Sequence, residues 1–154
     1  DRAAVVGGSY GGYAVNAAVA NFPGNFAAGV SLFGVADWVT ALEVASPGLK
    51  ASDRIEYGDI TEDYWREYYT ENSPIRQADQ IDVPMLYSHG ARDPRIDIYE
   101  TEVMVRTIRE NGVRADYIRF LDEGHGWRKL SNQLFYARAQ AEFLADVLDM
   151  DIGE

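Results

Sequence analysis

Three short segments of this chain carry side chains whose chemistry goes beyond packing. Ser9 lies in Gly7-Gly8-Ser9-Tyr10-Gly11, Asp93 in Ala91-Arg92-Asp93-Pro94, and His125 in Gly124-His125-Gly126. A serine hydroxyl becomes a nucleophile when an imidazole takes its proton, and a carboxylate can fix the tautomer of that imidazole. Glycines on both sides of Ser9 relieve clashes in a sharp turn that would lift the hydroxyl clear of the backbone. G-x-S-x-G alone is a weak signal, and its other reading is a tight turn with glycines for packing. A histidine between two glycines is poorly explained by packing, so His125 reads as a presented general base rather than a loop residue without a role. Asp93 reads two ways on local sequence: as partner of the imidazole, or as a helix N-cap, because Asp before Pro starts helices well. His89, the only other histidine, comes directly off a predicted strand and reads as structural, because a buried ring nitrogen there can be satisfied by backbone.

The elements that must position these residues follow from apolar patterning. Ala3 to Val6 is a short apolar run ended by glycines, a buried strand. Gly12 to Asn21 is small and Ala-rich, a helix able to pack closely on a sheet, and residues 21–25 form a turn. Ala27 to Phe33, Val83 to Ser88 and Ala115 to Phe120 are the next strands. Asp37-Trp38-Val39 opens a short helix that Ser46-Pro47-Gly48 breaks, and Thr61 N-caps a helix running to Glu71. Tyr99 to Asn111 is amphipathic, with Thr101, Met104, Val105 and Ile108 as its buried stripe. Ser131 to Met150 closes the chain, with Leu134, Ala137, Ala141, Leu144 and Leu148 on one side. Strands alternating with helices predict right-handed crossovers and an α/β fold, about four parallel strands flanked by helices. Ligands of such sheets bind beyond the carboxyl ends of the strands. Ser9, Asp93 and His125 each follow a different strand, in the Ser…Asp…His chain order of α/β-hydrolases.

Composition bounds the rest. A length of 154 residues fits one domain and a sizeable core. The net charge of −11, from 25 acidic against 14 basic side chains, argues against nucleic acid or an anionic membrane as partner. No run reaches the roughly 20 apolar residues of a membrane span, and the opening residues lack a signal-peptide pattern. Without cysteine there is no disulfide and no thiolate metal site. The lysine-poor surface (Lys50 and Lys129 only) suits salt adaptation and an ordinary solvated surface alike.

G-G-S-Y-G-G-Y, F-A-A-G-V-S-L-F-G, N-S-P-I, H-G-A-R-D-P-R-I and D-E-G-H-G-W together resemble the catalytic domain of the prolyl oligopeptidase family of serine peptidases. The nearest branch is the acylaminoacyl-peptidase and dipeptidyl-aminopeptidase-like one, and the likeness runs from about Ala3 into the last helix. It implies that residues 1–154 are the C-terminal portion of an α/β-hydrolase fold, without the N-terminal strands or a propeller. It implies Ser9 as nucleophile, Asp93 as orienting carboxylate, His125 as general base and then acid, and the Tyr10 backbone N–H as an oxyanion donor. Arg95 matches an arginine that holds a substrate carbonyl, its other reading being a solvated surface arginine. Trp38 matches a wall of the pocket for the residue before the scissile bond, its other reading being a core aromatic. The substrate would be a peptide, with no metal or organic cofactor. A second oxyanion donor would lie upstream, so the chain alone is expected to be impaired. Its first strand would be a bare edge, which predicts a homo-oligomer or edge pairing through Ala3 and Val5. An esterase and a non-catalytic interaction module remain the competing readings.

Overall fold

Four strands pair side by side in chain order as one parallel sheet: β1 (Ala4–Gly8), β2 (Ala28–Leu32), β3 (Met85–Gly90) and β4 (Ala115–Phe120). The computed structural model describes residues 3–151. Between the strands run α1 (Tyr10–Asn21), α2 (Trp38–Val44), α3 (Pro47–Tyr57), α4 (Asp63–Glu71), a 3₁₀ segment (Pro74–Gln80) and α5 (Ile98–Glu110), and α6 (Leu130–Val147) follows β4. Among the described residues no helix is long and apolar enough to cross a membrane.

The alternation of side chains along β2 and β3 sorts the core into two layers. Ala28, Val30 and Leu86 turn to one face and meet Phe143 of α6. Met85 and Tyr87 turn to the other and meet Val15 and Val19 of α1 with Met104 and Ile108 of α5. Each fully buried large apolar side chain contributes about 1.5–3 kcal/mol. Both faces are covered, which is why these strands read as unbroken apolar runs. Tyr87 carries a hydroxyl into this layer and donates it to Asn16 Oδ1 at 2.9 Å, so neither polar group is left unpaired.

Several sequence expectations need correction. Ser46-Pro47-Gly48 ends one helix and starts another: the Ser46 hydroxyl accepts from Leu49 N–H, and Pro47 occupies the first turn of α3. Thr61 is not the cap of α4, which begins after Glu62; its hydroxyl donates instead to Asp59 at 2.7 Å. The side of α6 carrying Leu134, Ala137 and Ala141 faces out, with Leu134 63% exposed. Tyr136 and Phe143 take the inward line because the two rings offer more apolar area to bury than leucine and alanine. β3 continues through His89 and Gly90, so His89 is a strand residue rather than the start of a loop.

Among the described residues β1 pairs only with β2. The Ala3 carbonyl accepts from Ala27 N–H and Ser9 N–H donates to the Leu32 carbonyl. Backbone groups alternate along a strand, so Val5 and Gly7 also face β2. The open hydrogen-bonding groups therefore belong to Ala4, Val6 and Gly8, not to Ala3 and Val5.

Close approach at the start of α1 requires glycine at position 7, where a Cβ would meet the Gly11 carbonyl oxygen at 2.4 Å. A Cβ at Gly11 would meet open space. Gly7→Ala is expected to lower unfolding free energy by about 1–3 kcal/mol, whereas Gly11→Ala leaves it level or raises it. Denaturant titration of both variants checks the contrast.

Candidate active site

The turn from β1 into α1 leaves Ser9 at φ 59°, ψ −120°, a positive-φ conformation that L side chains rarely adopt. Such strain costs on the order of 1–3 kcal/mol and persists only where surroundings enforce it. Here the Ser9 N–H donates to the Leu32 carbonyl at 2.9 Å, and its carbonyl accepts from Gly12 and Tyr13, the first amides of α1 to find a partner. The chain is thus pinned on both sides of the residue, and the hydroxyl stands above the carboxyl end of the sheet.

Asp93 sits in the loop after β3, its side chain 1% exposed. Its Oδ1 accepts the backbone N–H groups of Arg95 (2.8 Å) and Ile96 (3.1 Å). Its Oδ2 lies 2.7 Å from His125 Nδ1 and 3.3 Å from His89 Nε2. The N-cap of α5 is Asp97, which accepts from Tyr99 N–H, so the capping reading of Asp93 does not hold. Burial alone would raise the Asp93 carboxyl, but the hydrogen bonds from His125, from His89 and from the two amides outweigh it. The carboxyl is held well below the usual carboxylate range.

His125 hangs in the loop after β4, with Nε2 2.8 Å from Ser9 Oγ. An Nδ1–H donated to ionised Asp93 leaves Nε2 free to accept the serine hydroxyl. Its ring packs against Phe33, centroids 4.6 Å apart. The loop itself is fixed by Glu123, buried beneath it. That carboxylate accepts the N–H groups of Arg128 (3.0 Å) and Lys129 (2.9 Å) and the Asn132 side-chain amide (2.8 Å). The two backbone bonds chiefly, then Asn132, pull the Glu123 carboxyl below its ordinary value.

His89 is fully buried, with Nδ1 2.8 Å from the Thr101 hydroxyl and Nε2 3.0 Å from the Ile96 carbonyl. A neutral ring that donates from Nε2 to Ile96 and accepts at Nδ1 from Thr101 satisfies both nitrogens. This is the structural role read from the sequence, with one addition: the same Nε2 faces Asp93.

A cavity of about 190 Å³ opens beside Ser9, lined by Tyr10, Trp38 and Arg95 among others. Tyr10 heads α1, so its N–H belongs to the helix end that lacks intrahelical acceptors. Arg95 is exposed on the loop of Asp93. Trp38 is buried, packed edge-on against Tyr13 at 5.0 Å, and also lines this cavity. Its segment is fastened by Glu100 of α5, which is 1% exposed. Glu100 Oε2 accepts from the amides of Ala36 (2.9 Å) and Asp37 (2.7 Å), and Oε1 lies 2.5 Å from the Thr40 hydroxyl. Burial raises the Glu100 carboxyl despite these bonds.

Phe33, Glu123 and Glu100 were not singled out from sequence. Glu100 had a legible signal, a charge at helical spacing from Met104 on the buried stripe of α5. Phe33 and Glu123 had none, because their roles depend on a neighbouring strand and a loop closure. Among the described residues no cluster of three His, Asp or Glu side chains is placed to hold a metal ion.

The model of the prolyl oligopeptidase family matches residues 1–151. The chain belongs to that family. Dipeptidyl aminopeptidase BIII of Pseudoxanthomonas mexicana is 34% identical over 151 residues, covering 96% of this chain and 22% of that protein. Dipeptidyl peptidase family member 6 of Caenorhabditis elegans is 32% identical, covering 85% of this chain and 18% of its own length. The solved structure of a Mycobacterium tuberculosis puromycin-hydrolyzing peptidase superposes with a TM-score of 0.85 at 27% identity, over 96% of this chain and 22% of that one. The chain thus spans about a fifth of the length of these relatives. Its four parallel strands flanked by helices are an α/β-hydrolase arrangement, and its relatives are peptidases.

The depressed Asp93 carboxyl has a consequence for stability. A group whose folded pKa lies below its unfolded value, about 3.9 for aspartate, stabilises above that value and loses the contribution as pH falls through the folded one. Asp93→Asn should therefore unfold more easily than wild type at neutral pH, and the gap should close as pH drops below about 4. Thermal melts across that range measure it.

Proposed function

We propose that this chain carries the nucleophile, general base and orienting carboxylate of a serine peptidase acting on short peptides. The observation that supports it is the hydrogen-bonded series Ser9 Oγ, His125 Nε2, His125 Nδ1, Asp93 Oδ2, with links of 2.8 and 2.7 Å. In this reading Ser9 Oγ attacks the peptide carbonyl carbon while His125 Nε2 takes the hydroxyl proton. Ionised Asp93 stabilises the imidazolium that forms. The Tyr10 N–H faces the developing oxyanion. His125 then returns the proton to the departing amine, leaving an acyl ester on Ser9. Water attacks that ester, gives its proton to His125, and releases the acid with Ser9 restored. Arg95 holds a substrate carbonyl and Trp38 walls the pocket before the scissile bond.

A fluorophosphonate probe tests the nucleophile. Labelling is expected on Ser9, absent in Ser9→Ala and at least about 10³-fold slower in His125→Ala. Labelling that persists in Ser9→Ala would overturn the assignment. Comparing aminoacyl anilides with short acyl esters then separates a peptidase from an esterase. A second oxyanion donor from sequence upstream of Asp1 would add about 10²–10³ in rate. Turnover should therefore rise when the whole reading frame is expressed.

The open edge of β1 is proposed to pair, in the isolated chain, with a second copy. Sedimentation should show a dimer, and hydrogen exchange should be slow at Ala4, Val6 and Gly8. A monomer exchanging fast at those three amides would contradict it.

A further inference from the structure

The cavity beside Ser9 is walled chiefly by apolar side chains, Trp38, Leu42, Leu49 and Tyr57 among them, but α3 adds one carboxylate, Asp53. Asp53 is only part-exposed. Among the described residues it has no hydrogen-bond or ion-pair partner. The cation that follows it, Arg54, is already engaged with Asp59 at 3.1 Å. Lys50, one turn earlier on α3, shares a neighbouring cavity with Asp53 without pairing to it. Glu56 adds a second negative charge, and burial together with Glu56 pushes the Asp53 carboxyl upward. Arg95 is the one cation on the cavity wall, and it comes from the exposed loop of Asp93.

A part-exposed carboxylate that no cation pairs with, at the side of an apolar cavity, is placed to receive a positive charge. A side chain that meets it needs an apolar stem for the walls and a cationic head for the carboxylate. Lysine and arginine have that form, and Trp38 and Tyr57 supply aromatic wall for the stem. An acidic side chain would face the Asp53 carboxylate, and a purely aliphatic one would desolvate it with nothing in return.

We propose that this cavity takes a basic side chain at the residue whose carbonyl Ser9 attacks, with Asp53 as the receptor for its charge. The assignment rests on the Ser9 reading above and specifies its substrate class.

The test uses diphenyl phosphonates bearing a lysine, arginine or norleucine side chain on the carbon next to phosphorus. Ser9 Oγ displaces one phenoxide from phosphorus and passes its proton to His125, so the adduct is read by intact mass. In protein expressed from the whole reading frame, the lysine and arginine probes should label Ser9 about tenfold faster than norleucine. That is the low end for a hydrogen bond to a charged group. In Asp53→Asn, checked for folding by its thermal melt, the ratio should fall towards one. A ratio near one in wild type overturns the proposal whatever the variant does, as does a ratio that Asp53→Asn leaves unchanged. Fluorophosphonate labelling without any lysine preference would sink the substrate class and leave the hydrolase reading standing. No labelling of Ser9 by any probe would remove both.

Discussion

The hydrogen bond between Asp93 Oδ2 and His125 Nδ1, 2.7 Å long, is the link on which the rest of the site depends. It joins two loops from neighbouring strands and sets which imidazole nitrogen can face Ser9. Its strength comes from a carboxylate kept ionised in a buried place. Two backbone amides and His89 supply what solvent would otherwise supply. The acid is therefore a product of its loop, and the loop a product of β3, whose last residues run straight under it.

The same economy extends to the pocket. Glu100 and Thr101 are neighbours in the first turn of α5, and each holds a different part of the site. Glu100 grips the amides of Ala36 and Asp37 and so places Trp38. Thr101 hydrogen-bonds His89, which faces Asp93. One helical turn thus anchors both a wall of the cavity beside Ser9 and the carboxylate hydrogen-bonded to His125.

Much of this was legible in the sequence because local chemistry and fold agreed. The glycines around Ser9, the apolar run before it and the small residues after it describe one strand–turn–helix unit. The glycines flanking His125 mark a presented loop. What the sequence hid was tertiary. Asp93 could not be told from an N-cap until Asp97 was seen in that role. Ser46-Pro47-Gly48 is equally good as stop and start, and only packing shows it is both. The outward line of Leu134, Ala137 and Ala141 keeps helical spacing as well as the inward line of Tyr136 and Phe143, so spacing alone could not choose between them. Asp53 lies on α3, a helix without a single fully buried side chain, and nothing local connects it to Ser9.

Proton NMR of the Asp93–His125 bond tests the account most directly. A low-field imidazole N–H resonance is predicted, absent in both His125→Gln and Asp93→Asn and retained in Ser9→Ala. A low-field spectrum left unchanged by Asp93→Asn would contradict it.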